Sequence, residues 1–157
     1  MPTPPYITEL RRHYGHNLLL LPGVSAVVIH PGTGQLLLAR RADTGAWHLP
    51  SGIVEPGEQP AQTLLRELWE ETRIEARVDR LALLKVDPEL SYPNGDRCQF
   101  VSMSFRCTYL SGEPTVGDEE STAVGWFGLE SLPPLDERTR ERIRLGVPPR
   151  GETVFLT

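Results

Sequence analysis

Three glutamates in the middle of the chain, Glu67, Glu70 and Glu71, are spaced to share one face of a helix. Side chains three or four residues apart are neighbours on an α-helix surface. Carboxylates that lie so close repel one another, and a divalent cation relieves that repulsion. Because oxygen ligands of this kind suit Mg²⁺ or Mn²⁺, the spacing predicts a metal-binding helix face. The alternative is a solvated acidic face, which is common in acidic proteins.

The residues before these glutamates predict how the helix is placed. A segment rich in glycine and proline runs from Pro50 to Glu58 and predicts a turn. The helix itself is predicted over residues 60–72, with Leu64, Leu65 and Leu68 facing a sheet while the glutamates face a cleft. The local order is therefore a strand or loop, a turn, and then a helix that carries the acidic face.

Residues 52–74, GIVEPGEQPAQTLLRELWEETRI, resemble the Nudix box, G-x5-E-x7-R-E-U-x-E-E-x-G-U, where U is aliphatic. The matching residues are Gly52, Glu58, Arg66, Glu67, Leu68, Glu70, Glu71 and Ile74. The departure is Arg73, which stands where the family has its second glycine. Helices commonly end in a left-handed residue, a conformation that glycine adopts freely. We therefore expect a strained or re-routed helix end at Arg73 and an intact active site.

The resemblance implies a metal site and a role for the neighbouring arginine. The metal ligands it implies are Glu67, Glu70 and Glu71, with a backbone carbonyl at or just before Gly52, and the ion is Mg²⁺ or Mn²⁺. Arg66 is implied to orient the glutamates, since a guanidinium holds carboxylates in a fixed fork geometry. The alternative for Arg66 is a surface arginine that pairs with Glu70 at helical spacing.

The resemblance also implies a reaction, the hydrolysis of a diphosphate bridge. The substrates it implies are small nucleotides: a nucleoside triphosphate, ADP-ribose, a nucleotide sugar or a dinucleoside polyphosphate. A carboxylate must accept the proton of the attacking water. The candidates are Glu67, Glu70 and the acidic loop of Asp118, Glu119 and Glu120, with Glu120 as the loop residue predicted to be the base. A solvated loop is the alternative for Glu119 and Glu120. A catalytically silent nucleotide-sensing module is the alternative for the whole chain, disfavoured because every box glutamate is present.

Three residues near the expected cleft are candidates for holding the substrate. Arg40 and Arg41 end a predicted strand, where they are placed to bind phosphates; the alternative is a positive strand end that faces solvent. Trp47 precedes the box and is a candidate for stacking on a base. A core or rim aromatic residue is the alternative for Trp47.

The pattern along the whole chain predicts an α+β fold. Helices are predicted over residues 6–16, 60–72 and 135–145, and strands over 24–30, 35–41, 99–110 and 123–129 and within 76–86. Without regular βαβ alternation, these elements indicate an α/β/α sandwich around a mixed β-sheet, which is also the fold that the resemblance implies. We expect one domain over residues 1–157, with a short N-terminal arm at 1–23. The apolar run 18–21 is read as a strand or arm that packs on the domain, or as a homodimer surface.

Composition limits the classes of function. The net charge of −5 argues against a general nucleic-acid or membrane-surface binder, which needs a basic patch, but not against a small phosphate substrate. The two cysteines lack metal-type spacing, which favours free or buried thiols in a reducing compartment. No apolar run approaches the ~18 residues of a membrane span, and the first residues do not resemble a signal peptide. We therefore expect a cytoplasmic location.

Overall fold

One mixed sheet organises the protein in the computed structural model, which describes residues 3–157. Within that range the path through the sheet is β3-β2-β1-β7-β5-β9, with β4 beside β1, β6 beside β7 and β8 beside β2. In chain order the elements are α1 Pro5–Tyr14, β1 Leu19–Ile29, β2 Leu36–Arg41, β3 Trp47–His48, β4 Ser51–Ile53, α2 Pro60–Thr72, β5 Glu75–Val86, β6 Leu90–Ser91, β7 Arg97–Ser111, β8 Ser121–Phe127, α3 Glu137–Gly146 and β9 Val154–Phe155.

The two long central strands run parallel to each other and extend further than the sequence predicted. β1 pairs with β7 from Leu19, opposite Cys98, to Ile29, opposite Thr108. Residues 19–23, which we had placed in an N-terminal arm, are thus the first part of β1. The strand continues through Pro22 because the carbonyl of that residue still accepts a hydrogen bond from Val54 at 3.0 Å. β1 and β2, both predicted as strands, pair antiparallel.

Helices cover both faces of this sheet, as the sandwich requires. Successive side chains of a strand point to opposite faces, and β1 shows this directly. Val28 packs in a core cluster with Leu64 and Leu68 of α2, whereas Val27 packs with Ile143 of α3. The mixed sheet between helices confirms the predicted α+β class.

The helix predicted over residues 60–72 has the same bounds in the structure, but one of its leucines does not face the sheet. Leu64 and Leu68 are buried, whereas Leu65 is 38% exposed, so the prediction for Leu65 was wrong. Each helical residue turns by about 100°, and the step from Leu64 carries Leu65 away from the apolar stripe. A capping box between Gln59 and Gln62 begins the helix.

Both cysteines, Cys98 and Cys107, are buried and free, which confirms the prediction that they form no disulfide. Burial raises the pKa of the Cys107 thiol to about 12. Across residues 3–157, none of the helices combines the length and the apolar character needed to span a membrane.

Candidate active site

The first glycine of the box lets helix α2 lie directly on strand β4. Glu67 is only 4% exposed and sits over Gly52, which pairs with Val24 of β1. A Cβ on Gly52 would lie 2.7 Å from the Cδ of Glu67 and closer still to its Cγ. Only a residue without a side chain fits there, so Gly52 fixes how deeply the Glu67 carboxylate enters the fold.

Arg66 is the centre of a carboxylate network. Its Nε and Nη2 donate to Glu58 at 2.7 and 3.1 Å, and its Nη1 donates to Glu67 at 3.0 Å and to Glu70 at 3.3 Å. Glu55 lies 3.5 Å from the same guanidinium. The Arg66 guanidinium, helped by the hydroxyl of residue 63, lowers the pKa of Glu58 to about 2. This is the arrangement expected of an arginine that orients the box glutamates.

Glu71, like Glu67, is buried in the protein. It is 3% exposed, and burial raises its pKa to about 8, with further contributions from the nearby charges of Glu67 and Asp118. A backbone hydrogen bond from Ser51 opposes this rise. Its Oε2 is buried and has no hydrogen-bond partner among the described residues.

The carboxylates have the chemistry of ligands for a divalent cation, although their side chains are not grouped as a metal site. Among the described residues, no three His, Cys, Asp or Glu side chains are grouped as a ready metal centre, since Arg66 engages both Glu67 and Glu70. A buried carboxylate oxygen without a partner is costly, and the unpartnered Oε2 of Glu71 meets the need of a cation for an oxygen ligand. The donor set is therefore of the right chemistry for Mg²⁺ or Mn²⁺.

A cavity of about 620 Å³ adjoins this cluster at Ser51 and Glu71. Strand β7 contributes Phe100 to its wall, and helix α1 contributes Ile7, which is 4% exposed. The sequence predicted α1 but gave no sign that it borders the site, because only the tertiary packing brings it there. The remaining lining residues are Thr3, Arg11, Leu21, Arg41, Ala42, Asp43, His48, Ile53, Tyr92, Pro93, Asn94, Asp96, Cys98, Glu119, Glu120 and Ser121.

The structure separates the residues proposed to hold substrate. Arg41 lines the cavity and pairs with Asp43 at 2.7 Å. Arg40 is not among the described lining residues, and its Nε donates to the carbonyl of Gly45 at 2.9 Å. Trp47 packs edge to face on Phe127, with ring centroids 4.8 Å apart, in the core cluster under α3. The structure thus places Trp47 as a core aromatic residue, the alternative left open above.

The loop of residues 112–120 packs on the end of α2 and brings acidic groups to the cluster. The backbone N–H groups of Thr115 and Gly117 donate to the carbonyls of Thr72 and Glu71 at 3.0 and 3.1 Å. Helix ends leave such carbonyls without intrahelical partners, so the loop completes α2. Glu120, the predicted loop base, lines the same cavity as Glu71. Asp118 belongs to the same acidic loop, and the structure brings it close enough to Glu71 to act on it electrostatically.

Known proteins resemble this chain in sequence and in structure. A MutT-like protein of Streptomyces ambofaciens is 41% identical over 104 residues, 66% of this chain and 61% of that protein. The NAD-capped RNA hydrolase NudC of Pseudomonas entomophila is 31% identical over 113 residues, 71% of this chain and 38% of that protein. The chain therefore spans less than two thirds of the length of either relative.

A crystal structure of a MutT Nudix hydrolase from Burkholderia pseudomallei is 30% identical and superposes with a TM-score of 0.63, covering 81% of this chain and 98% of that one. The NUDIX domain family model matches residues 19–145. That range holds helix α2, with Arg66 and the buried Glu71, and both long strands β1 and β7. The chain belongs to the Nudix family.

Proposed function

We propose that this protein is a Mg²⁺-dependent pyrophosphohydrolase, with Mn²⁺ as an alternative ion. It would cleave the diphosphate linkage of a small nucleoside diphosphate derivative into a nucleoside monophosphate and a phosphorylated remainder. The observation that carries the proposal is the buried Glu71 oxygen without a hydrogen-bond partner among the described residues. Glu71 interacts electrostatically with Glu67 of the Arg66 network and lines a cavity of substrate size. Membership of the Nudix family supports the same reaction.

Each residue has a stated part in this proposal. Glu67, Glu70 and Glu71, with a backbone carbonyl at or before Gly52, would hold the cation, and Arg66 would keep the first two aligned. A divalent cation in such a site supplies positive charge to the phosphates and lowers the pKa of water.

The proton of the attacking water needs an acceptor, and Glu67, Glu70 and Glu120 are the candidates. Glu120 lines the same cavity as Glu71, which supports a loop base. Arg41, which also lines this cavity, would contact the phosphates. The rest of the cavity would receive the part of the substrate beyond the diphosphate.

The test is hydrolysis of a nucleotide panel with Mg²⁺, with Mn²⁺ and with EDTA, with the products separated by anion exchange. The panel holds nucleoside triphosphates, ADP-ribose, UDP-sugars, dinucleoside polyphosphates and NADH, the last included because relatives carry the name NAD-capped RNA hydrolase. We expect metal-dependent release of a nucleoside monophosphate, reduced by orders of magnitude in Glu70→Gln and Glu71→Gln. Glu75→Gln, at an exposed glutamate bonded to Ser111, is the control. Nucleotide binding without turnover would favour a sensing module instead.

A further inference from the structure

Arg73, which replaces the family's second box glycine, has an unusual backbone conformation. Its φ of 60° and ψ of 23° are left-handed, and among residues 3–157 it is the one non-glycine residue with positive φ. This confirms the strained helix end expected from the sequence. Such a conformation is unfavourable for a residue with a Cβ and persists only where surrounding contacts hold it.

The Arg73 side chain supplies those contacts by joining the helix end to the loop. Its Nη1 donates to the carbonyl of Trp69 at 3.2 Å, and its Nη2 donates to the carbonyl of Gly117 at 3.0 Å. The guanidinium carbon lies 4.1 Å from the centroid of the Trp69 ring, a cation–π contact. A glycine at position 73 would relax the backbone but make none of these contacts.

The loop held by Arg73 lies against the metal-binding end of the helix. A Cβ on Gly117 would overlap the carbonyl oxygen of Glu70 and lie 3.0 Å from its carbon, so the two backbones are in close contact there. The next residue, Asp118, accepts a hydrogen bond from the N–H of Glu120 at 3.0 Å. Asp118 is near enough to act electrostatically on Glu71, and Glu120 lines the cavity.

We propose that Arg73 is a positioning residue, whose guanidinium holds residues 115–120 so that the acidic groups of this loop stay fixed beside the cluster around Glu71. The proposal rests on the proposed function for its catalytic consequence, but the holding of the loop is a property of the fold alone. In this chain the arginine replaces the backbone freedom of a glycine with a side-chain link to the loop.

The test compares wild type with Arg73→Gly by amide hydrogen exchange of the metal-free protein and by steady-state kinetics on a substrate from the panel. We expect exchange in residues 113–120 to rise by about tenfold and kcat to fall by about tenfold with little change in KM. The thermal stability of Arg73→Gly should not fall in proportion to kcat, because glycine relieves the left-handed backbone strain at position 73. Arg73→Lys should restore only part of kcat, since an ammonium lacks the planar fork.

Arg77→Ala is the matched control, because Arg77 is an exposed arginine on the following strand that pairs with Asp79. Unchanged exchange in residues 113–120 of Arg73→Gly would overturn the proposal. Raised exchange with an unchanged kcat would overturn its catalytic part. If wild type hydrolyses no member of the panel, the proposed function fails, and the exchange measurement still decides whether Arg73 holds the loop.

Discussion

Replacing Glu71 with glutamine should stabilise the metal-free protein at neutral pH while abolishing metal-dependent activity. Glu71 is 3% exposed, and burial is the main cause that raises its pKa from 4.5 to about 8. The folded protein therefore holds the carboxyl group protonated at pH 7, whereas the unfolded chain ionises it. Glutamine keeps the shape of the neutral acid and has no proton to lose.

The magnitude follows from the two pKa values. Below pH 4.5 both states are protonated, and Glu71 contributes nothing to the pH dependence. As the pH rises, only the unfolded state releases its proton, so stability falls until the folded group also ionises near pH 8. At pH 7 this ionisation lowers the free energy of unfolding of the wild-type protein by up to about 3 kcal/mol. Glutamine does not ionise, so the variant does not lose this stability. The stability difference between Glu71→Gln and wild type should thus be under about 1 kcal/mol at pH 5 and should grow to about 3 kcal/mol at pH 7.

Urea unfolding in EDTA at pH 5 and pH 7.5 measures this difference. Glu75→Gln serves as the control for the loss of a carboxylate, because that glutamate is exposed and its carboxylate accepts a hydrogen bond from Ser111. Added Mg²⁺ should stabilise wild type and leave Glu71→Gln unchanged, by linkage of binding to folding. A Glu71→Gln protein that is less stable than wild type at pH 7.5, or a difference that is flat with pH, would refute the reasoning.

Three further predictions concern packing, charge and thiol chemistry. Gly52→Ala should displace Glu67, lower kcat by about a hundredfold and lower the stability measured in urea by about 1–3 kcal/mol. Gly125→Ala is the control, because a Cβ there would meet nothing nearer than 3.7 Å. Equal kcat values for the two variants would contradict the packing argument. Arg66→Lys should weaken Mg²⁺ binding about 10–100-fold in titration calorimetry, because one ammonium group cannot replace the four donor contacts of the guanidinium. Wild-type affinity in this variant would contradict the proposed role of Arg66 in orienting the glutamates. Cys107, buried and with a pKa raised to about 12, should react with a thiol reagent only after unfolding, and rapid labelling of the native protein would show otherwise.

The box helix was predictable because its signals are local. Apolar residues at helical spacing, a glycine- and proline-rich turn before them and glutamates on the other face all lie within residues 50–74. The structure has the helix at Pro60–Thr72, as predicted. The resemblance identified Gly52 as the first glycine of the box, but the close approach of Glu67, which explains the need for a glycine there, is visible only in the folded protein.

The cavity was not predictable, because distant segments build it. Ile7, Tyr92 and Phe100 meet there only after β1 and β7 pair in parallel along their length. The environment of Trp47 was also not predictable. An aromatic residue just before the box is equally compatible with a substrate site and with a hydrophobic core. Its contact with Phe127 places it in the core, and no sequence pattern distinguishes these two outcomes.

The charge balance of the cluster explains how three adjacent glutamates coexist in the fold. Glu67 is buried and pairs with Arg66 at 3.0 Å; burial raises its pKa, and Arg66 opposes that rise. Glu71 is neutral because burial keeps it protonated. Of the two helix glutamates that contact Arg66, Glu70 has the longer contact, 3.3 Å against 3.0 Å for Glu67, and its side chain is 46% exposed. It is therefore the glutamate that can leave the arginine at least cost, since exposed ion pairs contribute little. The fold tolerates the buried Glu71 at a cost in stability, as functional sites commonly do, and the gain expected in Glu71→Gln is a measure of that cost.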